Sequence, residues 1–113
     1  MARHWSETVA RDYLVAEGYE ILAENAVYQR LELDLVVRDG TTVVFVEVKQ
    51  RSTLRYGSPA EAIGARKIAR LQQAALYYLA DTFGRDDLPL RFDAVLLLGK
   101  RDDYQLRHLK AIF

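Results

Sequence analysis

The feature that most narrows the folds open to this chain is a pair of apolar-rich runs, Leu31 to Arg38 and Thr42 to Gln50, that meet around Asp39 and Gly40. Asp-Gly between two alternating runs is the strongest short-range hairpin signal, because glycine supplies the positive φ that tight turns need. If Arg38 lies opposite Thr41, then Asp34 faces Phe45 and Glu32 faces Glu47, and directly opposed residues share a face of the sheet. One face then carries Leu33, Leu35, Val37, Val44, Val46 and Val48, all apolar and suited to a core. The other carries Glu32, Asp34, Val36, Val43, Phe45, Glu47 and Lys49. Hydrophobes on that second face imply coverage by a helix or loop, and partly buried acids require a partner or a metal.

Asp34 and Glu47 come out as diagonal neighbours with α-carbons about 7 to 8 Å apart, near enough for both carboxylates to reach one cation. The chain has no cysteine, so a metal must be held by oxygen or histidine. Mg2+ and Mn2+ favour oxygen ligands, polarise phosphodiesters and lower the pKa of bound water, while a lysine placed like Lys49 orients that water or neutralises developing charge. The plainer alternative is an amphipathic hairpin that uses Glu47 and Lys49 as solubilising charges. The alignment of Val36, Val43 and Phe45 with the acids weighs against it.

The flanking sequence supplies layers for this hairpin. Ser6 can cap a helix running to about Gly18, with Trp5, Val9, Tyr13 and Ala16 on one stripe, Ala10 and Leu14 widening it, and Gly18 at the C′ stop. Tyr19 to about Ala23 reads as a short strand, followed by a polar connection ending near Arg30. Ser58, Pro59 and Glu61 fit N-cap, N1 and N3 of a capping box, opening a helix that Gly64 interrupts and that continues through Ile68, Leu71, Ala75, Tyr78 and Leu79. Beyond the breakers Gly84 to Pro89, Phe92 to Leu98 reads as a strand buried on both faces, and Tyr104 to Leu109 as a last strand. The order α, β, β, β, α, β, then β, predicts an α/β fold with a central mixed sheet flanked by helices. A length of 113 residues, 50% of them hydrophobic, suits one domain spanning 1–113.

Formal net charge is zero, which excludes coating of nucleic acid by bulk electrostatics. The average hides a stretch from Lys49 to Arg70 with six basic residues and one acid, so the remainder carries minus five. Such a stretch suits an enzyme that grips phosphates beside a cation; it also suits an ordinary solvated surface. Met1 to Glu7 lacks the apolar region of a signal peptide, and no apolar run approaches the roughly 20 residues of a membrane span. A cytoplasmic protein with no membrane partner is expected.

Glu7 with Ala10, Gly18-Tyr19-Glu20-Ile21-Leu22, Asn25, Glu32-Leu33-Asp34-Leu35 and Phe45-Val46-Glu47-Val48-Lys49-Gln50-Arg51 follow one another in a distinctive order. Tyr56-Gly57-Ser58-Pro59, Lys67, Arg91-Phe92-Asp93 and His108-Leu109-Lys110-Ala111 continue it. In that order, over nearly its whole length, the chain resembles the YraN-like family of small bacterial proteins, itself similar to archaeal Holliday-junction resolvases and PD-(D/E)XK nucleases. The resemblance implies a restriction-endonuclease-like αβββαβ core, with Asp34 at the proline-aspartate position and Glu47-Val48-Lys49 as the E-x-K. It also implies Glu7 as an extra acid and the Val48 carbonyl as a metal ligand. Glu7 equally fits position N1 of its helix, where a carboxylate favours the dipole. Gln50, Arg51, Arg55 and Lys67 are the candidate phosphate contacts. Tyr56 is a candidate base stacker or a loop anchor, and Asp93 a structural partner for an arginine. Leu31 and Ser6 stand where the family has glycine, which bears on substrate approach more than on metal binding.

The activity so implied is Mg2+- or Mn2+-dependent endonuclease cleavage of DNA, on branched or distorted structures, by a chain that pairs as a homodimer. The competing readings are a catalytically silent accessory that binds nucleic acid or a protein in repair or recombination, and a dimerisation module built on Ala94 to Leu98 or on the helix bearing Tyr77 and Tyr78.

Overall fold

The expected hairpin forms, two residues out of the expected register. In the computed structural model, which describes residues 4–28, 30–52, 64–85 and 87–113, β2 (Leu31–Asp39) and β3 (Thr42–Arg51) run antiparallel with Asp39 opposite Thr42 and Leu35 opposite Val46. Gly40 and Thr41 make the turn, and only Gly40 has positive φ, at 62°. That is the II′ pattern, glycine at the first central position, in place of an Asp-Gly I′ turn. A shift of two is even, so the paired side chains from Leu35 to Val37 and from Val43 to Val46 keep their expected faces. It also carries Asp34 one step closer to Glu47: continuing the register beyond Leu35 and Val46 would set the two acids directly opposite each other.

The other strands extend this hairpin on both sides. β1 (Glu20–Tyr28) pairs antiparallel with β2, β4 (Leu90–Lys100) runs parallel to β3 after the crossover helix α2 (Ala65–Phe83), and β5 (Asp103–Leu109) pairs antiparallel with β4. The result is a five-stranded mixed sheet in the order β1-β2-β3-β4-β5. Helix α1 (Trp5–Ala16) lays Ala10 and Leu14 on one face against Leu35, Val37, Val44, Val46 and Val95. Helix α2 lays Leu71, Ala74, Ala75, Tyr78 and Leu79 on the other, against Val36, Val43, Phe45 and Phe92. Covered on both faces, β4 is buried from Phe92 to Leu97, as a run apolar at every position but Asp93 requires. This is the expected α/β architecture, compatible with an αβββαβ core to which β5 is added.

Four local expectations are corrected. His4, not Ser6, caps α1: its Nδ1 accepts from the Ser6 amide at 3.2 Å, leaving Ser6 buried in the first turn. The buried stripe therefore runs Ser6, Ala10, Leu14, and Ala16 is exposed. The Gly18 stop holds, as a Schellman closure with Tyr19 N–H donating to the Leu14 carbonyl and Gly18 N–H to Val15, both at 3.0 Å. β1 does not end near Ala23 but runs to Tyr28, because its polar residues pair with β2 as far as Tyr28 opposite Leu31, with a bulge between Ile21 and Ala23. Leu33 packs with the α2-side cluster instead of beside Leu35; the ladder to β3 ends at Leu35, and beyond it β2 pairs with β1 alone. The capping box at Ser58, Pro59 and Glu61 lies outside the described residues, and α2 is described from its N-cap, Gly64.

At the far end of β4, Gly99 adopts φ 125°, and a Cβ there would run into the Asp103 carbonyl oxygen while lying 2.9 Å from the Tyr104 α-carbon. Gly99→Ala should therefore cost roughly 2 kcal/mol or more of stability, read as a lowered midpoint in urea. No described helix is long and apolar enough to cross a membrane.

Candidate metal centre

Where β2 and β3 stop pairing, a side chain takes over from the backbone ladder. The Asp34 Oδ2 accepts the Val48 amide N–H at 2.9 Å, which pins the carboxylate between the strands instead of letting it project from one face. On its other side Asp34 sits across from Asn25 of β1, between the pairs Glu24 with Leu35 and Ala26 with Leu33. Asn25 has φ 52°, in the left-handed region that asparagine tolerates better than most residues. Its Nδ2 donates to Glu32 at 2.6 Å and to Glu7 at 3.3 Å.

These constraints gather three carboxylates, with one oxygen each from Glu7, Glu32 and Asp34 lying within 4.8 Å of one another. Glu7 reaches the group from the first turn of α1, at N3 counted from the His4 cap and not at N1. Its carboxylate is directed to Asn25, so the helix dipole is not its only partner. Glu47, 8% exposed, stands on the opposite strand, where its Oε1 accepts from Lys67 Nζ at 2.5 Å and lies 3.5 Å from Lys49 Nζ. Burial, then the charges of Glu47, Glu7 and Glu32, push the Asp34 carboxyl up to about 7, against the lowering effect of the Val48 amide. Lys49 is lowered, chiefly by burial and also by Lys67 and Arg51, with Glu47 opposing. For Lys67 burial acts downward, and the bond to Glu47 outweighs it, so its pKa is raised.

The donor set is all oxygen, which suits a hard divalent cation. Acids held together at close range repel one another until a cation arrives, and that repulsion adds to the larger effect of burial in raising the Asp34 carboxyl to about 7. Of the residues singled out from sequence, Glu7, Asp34, Glu47 and Lys49 come together, and Val48 joins them through its amide. Lys67 joins too, but on Glu47. Gln50 donates its Nε2 to the Gly99 carbonyl at 2.7 Å, bracing β3 against the end of β4, and Arg51 is exposed with its Nη1 donating to the Gln50 carbonyl at 2.8 Å. Arg55 and Tyr56 lie outside the described residues. Two members escaped the sequence reading as site residues: Glu32, whose signal was its spacing two before Asp34, and Asn25, which only the β1 pairing brings across from Asp34.

A family model described as uncharacterised protein family UPF0102 matches residues 6–97. The chain is 43% identical over 105 residues to a UPF0102 protein of Thermus thermophilus, an alignment covering 93% of this chain and 90% of that one. It is 41% identical over 115 residues to a UPF0102 protein of Chlorobaculum parvum, covering 95% and 87%. A UPF0102 protein of Frankia casuarinae is 47% identical over 111 residues, covering 96% and 92%.

Proposed function

The chain belongs to the uncharacterised protein family UPF0102, the YraN family, and we propose that it is a Mg2+- or Mn2+-dependent endonuclease hydrolysing DNA phosphodiester bonds, on branched or distorted structures. The observation that carries this reading is the convergence of Glu7, Glu32 and Asp34 within 4.8 Å, one strand away from Glu47 and Lys49. Glu7, Asp34 and Glu47, with the Val48 carbonyl, would hold the cation, and Glu32 adds a carboxylate to the same cluster. When bound, the cation supplies Lewis-acid polarisation of the phosphodiester and a lowered pKa for the attacking water.

The chain's own residues do the rest. The Val48 amide fixes the Asp34 carboxylate, and Asn25 fixes Glu7 and Glu32, so little reorganisation is needed when substrate arrives. Lys49, half-buried beside Glu47, sets an ammonium where charge grows on the phosphate. Arg51 on exposed surface supports contact with flanking phosphates. Leu76 and Tyr77, each 45% exposed on α2, offer the apolar surface for the homodimer included in this reading.

The test is cleavage of end-labelled branched, flapped and linear DNA with Mg2+ or Mn2+, by the native chain and by Glu47→Gln. The variant keeps the shape of the side chain and removes its charge, so cleavage should fall by about 100-fold or more with the fold retained. Metal-independent DNA binding with no cleavage by the native chain would favour the silent accessory instead.

A further inference from the structure

Glu47 is the acid most deeply placed among those of the centre, yet it is not among the three whose oxygens converge. Its Oε1 is occupied by Lys67, whose ammonium comes from the first turn of α2 to 2.5 Å. Lys49 stands at 3.5 Å from the same oxygen. Two ammoniums on one carboxylate oxygen exceed what charge balance at Glu47 requires, while among the described residues no ammonium or guanidinium is ion-paired with Glu7, Glu32 or Asp34.

Resting on the nuclease reading, we propose that Lys67 is a resident counter-ion for Glu47 which the divalent cation displaces, and that the freed ammonium then takes a phosphate oxygen of the DNA. A lysine suits this exchange better than an arginine. Its ammonium is a compact point charge on a flexible stem with rotatable donors, so it can leave one oxygen and reach another without the fork geometry of a guanidinium. The Lys67 side chain is 34% exposed against 20% for Lys49, so it is the more open of the two to solvent. The location also favours it: Lys67 stands in the first turn of the helix that crosses from β3 to β4. In the metal-free chain Lys67 offsets the charge of a nearly buried acid. With metal bound, that duty passes to the cation, and Lys67 becomes a substrate ligand.

This exchange has a signature that a merely structural ion pair lacks, because metal affinity and cleavage should move in opposite directions. In calorimetric titration with Mn2+, Lys67→Met should bind the ion about 3- to 10-fold more tightly than the native chain, since no ammonium competes for Glu47. Arg66→Met removes the same charge one residue away without touching Glu47, and should change affinity by less than about 2-fold. At saturating Mn2+, Lys67→Met should cleave DNA more slowly, chiefly through a raised KM, and Lys67→Arg should recover less than half of the loss. A second measurement is independent of any variant: the Cε and Hε resonances of Lys67 in the native chain should shift on addition of Mg2+ in the absence of DNA.

Unchanged or weaker Mn2+ binding by a folded Lys67→Met, or Lys67 resonances indifferent to Mg2+ that does bind, would overturn the exchange while leaving the nuclease reading intact. A native chain that binds neither ion would overturn both.

Discussion

Asp34→Asn is expected to abolish metal-dependent cleavage and, at the same time, to make the metal-free chain more stable above neutral pH. Both effects come from one atom group. The amide oxygen of asparagine can still accept the Val48 N–H that Asp34 holds at 2.9 Å, so the seam between β2 and β3 stays closed. What disappears is a charge that burial and three neighbouring acids disfavour, the same influences that raise the carboxyl from 3.8 to about 7. A carboxyl that holds its proton more tightly folded than unfolded makes the folded chain the better proton binder between those values. Stability therefore falls as pH rises from about 4 to about 7, and the deficit is complete above 7. The full shift is equivalent to at most about 4 kcal/mol, shared among the coupled acids, so a gain on the order of 1–3 kcal/mol at pH 8 is expected for the variant. Thermal melts without metal should show it as a rise of roughly 5–15 °C at pH 8 that shrinks towards zero near pH 4. Mg2+ should stabilise the native chain at pH 8 and leave Asp34→Asn almost unmoved. A melting temperature for the variant equal to or below that of the native chain at pH 8 would contradict this electrostatic account.

Asp93→Ala should have an effect of the opposite kind, on folding rather than on chemistry. Asp93 is 0% exposed, and its carboxylate receives Arg91 Nε at 2.8 Å and Nη2 at 2.9 Å, His108 Nε2 at 2.8 Å and the Ala111 amide at 3.0 Å. The other ring nitrogen of His108, Nδ1, is hydrogen-bonded with the Tyr13 hydroxyl at 3.0 Å, and Arg91 also reaches Tyr19. One acid thus ties α1, β4, β5 and the chain's last residues together, as the pairing of Arg91-Phe92-Asp93 with an arginine implied. Burial pushes this carboxyl up, but the bonds from Arg91, the Ala111 amide and His108 more than offset it and hold it below its ordinary range. Its contribution is accordingly present above about pH 4 and lost as acid titrates it. Truncation would leave a guanidinium, an imidazole and an amide without their acceptor, at a cost of about 3–5 kcal/mol. Against the 5–15 kcal/mol typical of a domain, that is a large fraction, and urea unfolding at pH 7 should show a midpoint reduced by a third or more. A loss under about 1 kcal/mol would mean that the network contributes little to holding the sheet's outer strands.

The β-pattern made much of this legible before any coordinates. Alternation in Leu31–Arg38 and Thr42–Gln50 fixes which faces the side chains take from Leu35 onward, and the apolar run Ala94 to Leu98 is enough to place β4 inside the sheet and not at its edge. Register was harder, because Asp39-Gly40 and Gly40-Thr41 are both acceptable two-residue turns, and only the match of a II′ turn with its flanking pairs separates them. The second half of β1 reads as a loop since Glu24 and Asn25 are polar; Glu24 pairs with Arg11 of α1 and Asn25 holds the acids Glu7 and Glu32, so in the latter case local pattern yields to the demands of a site. Asn25 is not assignable from spacing alone, as its role depends on which strand lies beside β2, whereas Glu32 carries a signal in its spacing two before Asp34. The cap of α1 falls to His4, whose ring nitrogen accepts from the Ser6 amide, a role that the usual N-cap residues Ser, Thr, Asp and Asn do not point to.

The most direct test of the central claim is single-turnover cleavage of an end-labelled four-way DNA junction, with Mn2+ in excess, by the native chain and by Asp34→Asn in parallel. The expected result is discrete cleavage products from the native chain, dependent on the ion, and none above background from the folded variant. Equal cleavage by both chains, or no cleavage by a folded native chain that takes up Mn2+, would contradict the assignment of this carboxylate cluster as the centre of a nuclease.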